Sequence, residues 1–279
     1  MLKCILFLLS EYYYRIVSER IEEIQKKVCQ YQVEVLLRRS SIMEEFNIEE
    51  TLIITDEPET AGRLLEQGNY VVILYHEQNR GQNFPSARYG IEDLFQLEYQ
   101  SYKEAYQRLA GLPWEILQTD RLLVRESTLE DVDEFYRIYK EPAITLYMED
   151  LYKDRDAELA YMKAYIDQIY GFYGYGLWTV ILKETGQVIG RAGLSVREGY
   201  DLPELGFLID VSYQKQGYGY EVCTAILKYA REELEFEKVQ ALADTRNVIS
   251  LHLLEKLGFR FERNVIGSDR DYKLFIKKI

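Results

Sequence analysis

The stretch that decides the fold is Gln214-Lys215-Gln216-Gly217-Tyr218-Gly219. It follows an extended apolar run, residues 205–211, and a helical pattern begins after it at Tyr220. The glycines allow a tight turn and leave no side chain between the backbone amides and a ligand. Amides at a helix N-terminus attract an anion, because the positive end of the helix dipole adds to their partial charges. The stretch therefore indicates a phosphate-binding turn, although a plain strand–turn–helix corner also uses glycine.

The downstream residues extend this pattern. A short strand, residues 238–243, is followed by Asn247-Val248-Ile249-Ser250 and by a helix that ends in Leu257-Gly258-Phe259. The order strand, Gln-x-x-Gly-x-Gly, helix, strand, Asn-x-x-Ser, helix resembles the GNAT acetyltransferase superfamily. It is most similar to the branch that contains ribosomal-protein-alanine N-acetyltransferases. The resemblance extends from about Leu117 to the C-terminus and does not cover the preceding residues.

Upstream of the motif, periodicity and turn signals predict the remaining elements of that layout. They are a strand at 121–125, helices opening at Ser127 and around 159–169, a hairpin of strands 178–182 and 188–194, and closing strands at 260–263 and 272–276. The order βααβββαβαββ is the one expected of the GNAT fold. We therefore predict an α/β (α+β) protein whose C-terminal domain, 116–279, has a central mixed, mostly antiparallel sheet flanked by helices.

The first 115 residues form a separate pattern, and a chain of 279 residues is expected to have two domains. Residues 51–56 and 70–75 are predicted strands on either side of a helix, 57–67, which implies a small parallel α/β domain at 1–115. Before them, apolar side chains spaced three and four apart predict one long amphipathic helix: Val17, Ile21, Ile24, Val28, Tyr31 and Val35. That helix covers its own domain or, alternatively, forms the seam of a homodimer.

This N-terminal part faintly resembles the C-terminal half of a haloacid-dehalogenase-like domain, in which an aspartate ends a strand as Asp56 does here. The nucleophilic Asp-x-Asp of that family is missing near the N-terminus, where Leu8-Leu9-Ser10 stands instead. A single aspartate at a strand end is more often a helix cap. We therefore expect no phosphatase chemistry, and the role of this domain stays open.

The GNAT resemblance implies acetyl-CoA as the acyl donor and assigns residues to hold it. Backbone amides from Gln214 to Tyr220 would bind the pyrophosphate, and the backbone of Leu208 and Ile209 would pair with the pantetheine arm like an added strand. Asn247 matches the family asparagine that hydrogen-bonds this arm, while it also suits a helix N-cap. The donor-binding candidates are Leu208, Ile209, Gln214, Lys215, Gln216, Gly217, Tyr218, Gly219, Tyr220 and Asn247, with Lys215 alternatively a solvated surface lysine.

Acetyl transfer to an amine also needs a base for the amine and a proton for the departing thiolate. Glu204 is the candidate base, because it starts the central strand and shares the face of Gly206 and Leu208. The alternative is a solvent-facing glutamate at a strand start. Many superfamily members place a tyrosine in the last helix as the acid, and here that position is Leu254. Ser250 or a water molecule is then the remaining proton donor.

Composition limits the partners. The formal net charge of −13 disfavours a nucleic-acid surface and is compatible with a cationic acceptor such as an amine. Cys4, Cys29 and Cys223 lie far apart, as reduced thiols do in a cytosolic protein. With two histidines, no metal site is expected. The apolar opening, residues 1–9, is too short for a signal peptide or a membrane span. We predict a cytoplasmic protein without membrane or nucleic-acid partners.

These observations lead to an acetyl-CoA-dependent N-acetyltransferase that acts on a primary amine, either a protein N-terminus or a small molecule, by direct attack in a ternary complex. The alternative is a non-catalytic acyl-CoA-binding module that regulates a partner or the N-terminal domain. The missing tyrosine supports this alternative, although related enzymes work by positioning alone. A phosphate-handling enzyme centred on Asp56 lacks its nucleophile. The sequence leaves the acceptor and the oligomeric state open.

Overall fold

The computed structural model describes residues 1–41, 48–267 and 270–279. The chain folds into two compact units, Met1–Leu112 and Pro113–Ile279. The sequence analysis predicts two domains, 1–115 and 116–279. This division into domains stays a prediction.

The first unit is a five-stranded parallel sheet with helices. Its strands lie in the order β2-β1-β3-β4-β5, and every strand pair is parallel. The elements are β1 (Cys4–Leu9), α1 (Glu11–Val28), β2 (Glu34–Arg39), β3 (Thr51–Thr55), α2 (Pro58–Glu66), β4 (Tyr70–Leu74), β5 (Gly90–Ile91) and α3 (Tyr99–Leu109). The predicted small parallel α/β fold is confirmed, including its β3–α2–β4 unit.

The apolar opening of the chain is the central strand β1. All five side chains from Ile5 to Leu9 are fully buried. A parallel sheet with helices on both faces buries its inner strands on both sides, so such strands are apolar without alternation. The short run that superficially suggests a signal peptide is therefore core.

The predicted long helix is shorter than its apolar stripe. Helix α1 ends at Val28, a 3₁₀ turn follows at Cys29–Tyr31, and Gln32 has a left-handed backbone with φ of 57°. Val35 lies in β2, where its side chain packs against the same core as α1. The prediction of one helix to Val35 was wrong, because the spacing of Val35 suits both a helix and a strand that pack on one core.

The second unit has an eight-stranded sheet in the order β12-β13-β11-β10-β9-β8-β7-β6. Every pair is antiparallel except β10 with β11. The elements are β6 (Glu115–Gln118), β7 (Leu122–Arg125), α4 (Val132–Tyr139), α5 (Pro142–Thr145), α6 (Arg155–Tyr165), α7 (Gly171–Tyr173), β8 (Leu177–Leu182), β9 (Val188–Ser195), β10 (Glu204–Ile209), α8 (Tyr218–Glu232), β11 (Lys238–Asp244), α9 (Val248–Lys256), β12 (Arg260–Ile266) and β13 (Asp271–Lys278). The predicted mixed, mostly antiparallel sheet is confirmed.

Three local details differ from the sequence-based expectation. Strand β6 precedes the first predicted strand and pairs with β7. The capping box opens on Thr128 with Asp131, one residue later than the expected Ser127 and Glu130. Helix α6 gives way at Ile166–Tyr170 to a π-helical turn, so the predicted helix around 159–169 is not uniformly α-helical.

The sheet of the second unit separates two cores. On one face, Trp178, Val239 and Ala241 pack with Val222 and Ile226 of α8. On the other face, Leu208 packs with side chains of α4 and α6. Because side chains alternate along a strand, each residue of β10 and β11 can be assigned to one of these faces. The site described next depends on that assignment.

Candidate active site

Strands β10 and β11 part immediately after they meet. They pair at Glu204 with Gln240, and the Gln240 amide donates to the Pro203 carbonyl at 2.9 Å. From there β10 continues along β9 to Ile209, whereas β11 continues along β13 to Asp244. A gap therefore opens between residues 205–209 and residues 241–244, and we call it the slot.

The backbone of β10 offers alternate residues to the slot. Asp210 N donates to Ile189 O at 2.8 Å, and a Cβ built on Gly190 would lie 2.1 Å from the Leu208 carbonyl oxygen. The Leu208 carbonyl thus points to β9. Since hydrogen-bonded pairs alternate along an antiparallel ladder, Phe207 and Ile209 point their backbone groups the other way, toward the slot. The predicted pairing of the Leu208 backbone with the donor arm does not fit this ladder, because that backbone faces β9. The predicted pairing of the Ile209 backbone fits it. Phe207 also faces the slot, and the sequence analysis did not identify it.

The predicted phosphate turn follows β10 directly. Lys215 and Gly217 both have left-handed backbones, with φ of 61° and 88°, and helix α8 starts at Tyr218 rather than at Tyr220. The first intrahelical bond runs from Glu221 N to Gly217 O at 3.0 Å. The amides of the preceding turn therefore have no partner within the helix. Alternating handedness beside a helix N-terminus forms an anion-binding concavity.

Two side chains of this turn brace it instead of facing a ligand. Gln214 Nε2 donates to Ile209 O at 2.8 Å, and Gln216 Nε2 donates to Ser212 O at 3.0 Å. Lys215 is exposed. At Gly219 a Cβ would lie 3.4 Å from Leu253 Cδ2 and 3.8 Å from Ile209 Cγ1. Helix α8 therefore lies close to Leu253 of α9 and Ile209 of β10 at a residue without a side chain.

Arg121 stabilises the turn through contacts that the sequence analysis did not predict. Its Nη1 donates to Gln216 O at 3.2 Å, its Nε donates to Glu221 Oε2 at 2.7 Å, and its guanidinium lies 4.2 Å over the Tyr218 ring. Burial raises the pKa of Glu221, but hydrogen bonds from Thr119 and Arg121 outweigh this and leave the pKa below its usual range. The first turn of α8 is thereby tied to the β6–β7 connection.

A second ion pair holds the end of β10. Arg137 of α4 donates from Nη1 to Asp210 Oδ2 and from Nη2 to Val188 O, the latter at 2.8 Å. Asp210 also accepts the Ser212 amide at 2.9 Å. Burial raises the pKa of Asp210, and these hydrogen bonds more than offset that effect, so the pKa is lowered. Asp210 is therefore a turn residue that caps the 3₁₀ turn after β10.

Glu204 is buried and paired. Its side chain is 9% exposed, and both carboxylate oxygens accept hydrogen bonds from Arg197, from Nε and, at 2.9 Å, from Nη2. The alternative from the sequence, that Glu204 is a solvent-facing glutamate at a strand start, does not fit this buried and paired side chain. Hydrogen bonding to Glu204 raises the pKa of Arg197. A base at Glu204 must release one oxygen from Arg197, a residue that no local pattern singles out.

The remaining candidates lie at the start of α9. Asn247 Oδ1 accepts the Ser250 amide at 3.1 Å, which makes Asn247 the helix cap. Ser250 is half-buried in the first turn. Leu254 is 1% exposed and belongs to the core with α8. The leucine thus fills a packed position, and His252 is exposed.

A different polar cluster lies at the carboxyl ends of the first unit's strands. Asp56 Oδ1 accepts the Ser10 amide at 2.7 Å, and Asp56 Oδ2 accepts Ser10 Oγ at 2.5 Å and His76 Nε2 at 3.1 Å. His76 Nδ1 accepts the Gln78 amide at 3.3 Å, so the proton is assigned to Nε2. In a Ser-His-Asp triad the serine hydroxyl donates to the histidine. Here it donates to the aspartate, so these three side chains do not form that triad.

The family can now be assigned. Residues 121–260, half of the chain, match the family model described as "Acetyltransferase (GNAT) domain". The chain belongs to the GNAT acetyltransferase family. The matched segment contains the slot, the phosphate turn, Arg121 and both candidate catalytic residues, whereas the first unit lies outside it.

Curated relatives match somewhat more than half of the chain. The chain is 29% identical over 167 residues to the uncharacterized protein YkkB of Bacillus subtilis, which is 58% of this chain and 95% of that protein. It is 27% identical over 165 residues to the uncharacterized N-acetyltransferase p20 of Bacillus licheniformis, which is 57% of this chain and 88% of p20. Both relatives are thus matched over nearly their whole length.

Solved structures share the fold. A putative GnaT-family acetyltransferase from Bordetella pertussis superposes with a TM-score of 0.51 at 23% identity, covering 59% of this chain and 99% of that one. RimL, a ribosomal L7/L12 alpha-N-protein acetyltransferase solved in complex with coenzyme A, gives 0.52 at 13% identity, covering 60% of this chain and 98% of RimL. At these identities the likeness establishes the GNAT fold alone.

Metal ligands and membrane-spanning helices are both missing from the described part of the chain. In residues 1–41, 48–267 and 270–279, no three His, Cys, Asp or Glu side chains come together in a way that could hold a metal ion. Within those same ranges, no helix is both long and apolar enough to cross a bilayer.

Proposed function

We propose that the second unit is an acetyl-CoA-dependent N-acetyltransferase that transfers the acetyl group to a primary amine within a ternary complex. The observation that carries this proposal is the slot that ends at the phosphate turn. Membership of the GNAT family supports acyl transfer from acetyl-CoA. The nature of the acceptor and the direct attack are the proposed parts.

The residues present fit a bound acetyl-CoA. The turn from Gln214 to Tyr220 offers backbone amides to a pyrophosphate, and the absence of a side chain at Gly219 keeps them accessible. Phe207 and Ile209 point backbone groups into the slot, where an extended amide-bearing arm can pair as an added strand. Asn247 stands across the slot at the start of α9, with its oxygen committed to the helix cap.

The donor supplies a thioester, and the chain supplies proton transfer and position. The amine nitrogen forms the new C–N bond while the C–S bond breaks. Glu204 takes the proton that the nitrogen loses, and the thiolate receives one from Ser250 or from water. Glu204 lies at the closed end of the slot, so its carboxylate is near the reacting centre in this arrangement. A positioned base contributes about 10²–10⁴-fold to the rate.

The test is acetyl-CoA-dependent thiol release in the presence of an amine panel that contains peptides with free N-termini, polyamines and amino-acid amides. We expect release that depends on both substrates and an acetylated product of the expected mass. Tight binding of acetyl-CoA without release for any amine would instead support the non-catalytic acyl-CoA-binding module, which the leucine at position 254 favours.

A further inference from the structure

A buried amide in the second unit has no partner among the described residues. Gln240 is 2% exposed, and its Nε2 is buried without a hydrogen-bond partner in that part of the chain. Buried polar groups are nearly always paired, and leaving one unsatisfied costs about 1–3 kcal/mol. Gln240 therefore needs an explanation that the fold itself does not supply.

Its position connects this group to the reaction. Gln240 pairs with Glu204 where β10 and β11 part, so the two side chains lie on the same face at the closed end of the slot. Its neighbours Val239 and Ala241 pack in the core with α8, which places Gln240 on the opposite face. The candidate base and the orphaned amide are thus adjacent.

Leu177 borders the same face. Gly206 follows Glu204 on this side of β10, and a Cβ there would lie 3.0 Å from Leu177 Cδ2. Glycine at position 206 therefore lets Leu177 lie close against β10 next to Glu204, where a larger residue would displace it.

We propose that Gln240 is a specificity-determining residue that donates a hydrogen bond to the acceptor, and that the acceptor bears a carbonyl oxygen next to its amine, as an α-aminoacyl group does. A donor such as Nε2 is satisfied by an oxygen acceptor. An α-aminoacyl group carries such an oxygen on the carbon next to its amine-bearing carbon. A simple aliphatic amine has no such oxygen. This inference rests on the proposed function, since it assigns the acceptor of that reaction.

The experiment compares alaninamide with isopropylamine, which share the methyl-bearing carbon and differ in the carboxamide. Rates are referred to the concentration of unprotonated amine. We expect the wild type to favour alaninamide by at least tenfold in kcat/KM, because a site built to bond a polar group rejects an analogue that lacks it. Gln240→Leu should lower kcat/KM for alaninamide about tenfold and leave that for isopropylamine within about twofold.

Gln118→Leu, at an exposed glutamine of β6, is the matched control and should leave both rates unchanged. If Gln240→Leu fails to fold, Gln240→Met makes the same comparison with an unbranched side chain. Equal losses for the two amines, or a wild type that does not discriminate between them, would overturn the proposal for Gln240 while leaving N-acetyl transfer intact. Absence of thiol release with every amine would overturn the proposed function together with it.

Discussion

The two units each gather polar side chains at the ends of sheet strands, and the two groups differ in hydrogen bonding. In the first unit, Asp56 accepts three hydrogen bonds, and its backbone carbonyl accepts a fourth from Asn79 at 2.9 Å. In the second unit, Gln240 keeps a buried nitrogen that is unpaired among the described residues, beside a gap between strands. Saturated groups stabilise a fold, whereas an unpaired buried group needs a further explanation, such as a bound ligand or water.

This contrast corrects a first impression from residue types. Serine, aspartate and histidine together suggest catalysis, and in the first unit they form a closed network in which the Tyr13 ring also stacks on His76 at 4.5 Å. The order of the strands, 2-1-3-4-5, places this network at the edge where doubly wound sheets commonly bind ligands. The hydrogen bonds nevertheless leave no serine proton for a histidine to take.

The largest expected effect is at the phosphate turn. Gly219→Glu places a bulky anion where amides should meet phosphate, so we expect acetyl-CoA binding to be abolished without unfolding of the unit. Isothermal titration calorimetry on the folded variant checks this. Unchanged affinity would show that the turn does not hold the donor. Gly171→Glu, at an exposed glycine with no heavy atom within 4 Å of its Cβ position, controls for the added charge.

Glu204→Gln should have the next largest effect. Removal of the base is expected to lower kcat at least tenfold and to leave acetyl-CoA affinity nearly unchanged. Glu198→Gln changes an exposed glutamate in the connection between β9 and β10 and serves as the matched control. A Glu204→Gln variant that keeps the wild-type rate across pH 6–9 would mean that the enzyme works by proximity alone.

At the closed network of the first unit we expect loss of stability and no loss of function. Asp56→Ala removes the acceptor of the partly buried donors of Ser10 and His76, at a cost of about 0.5–1.5 kcal/mol for each lost hydrogen bond in the free energy of unfolding. Thermal melting measures this cost, and Ser10→Ala should lower the melting temperature less. If the protein instead hydrolyses a generic phosphate ester, and Asp56→Asn loses this hydrolysis, the first unit carries phosphatase chemistry and this expectation is wrong.

A smaller effect concerns acid stability. The pKa of Asp210 is lowered in the folded protein, so its pairing with Arg137 stabilises the fold above the ordinary aspartate pKa and loses that effect as pH falls below it. Arg137→Gln should therefore shift the acid-unfolding midpoint to higher pH. Arg155→Gln removes an exposed pair with Asp133 and should shift it less. Equal shifts would contradict the special role of the buried pair.

Whether the sequence alone predicts a feature depends on how far apart along the chain the residues that form it lie. The phosphate turn was recognisable because left-handed backbone at Gly217 is a local demand on residue type. The partnership of Arg121 with Glu221 was not, since 100 residues separate them and no pattern links them. The same holds for Gln240, whose orphaned nitrogen depends on where β10 and β11 separate. Val35 was assigned to the wrong element because one apolar spacing suits both a helix and a strand.

The central claim is that chemistry belongs to the slot and stability to the Asp56 network. Acetyl-CoA-dependent thiol release, measured side by side for Gly219→Glu and Asp56→Asn in the full chain, tests it most directly. We predict no turnover in the first variant and, at a temperature where it remains folded, near wild-type turnover in the second. Turnover that survives Gly219→Glu and is lost in Asp56→Asn would contradict the account.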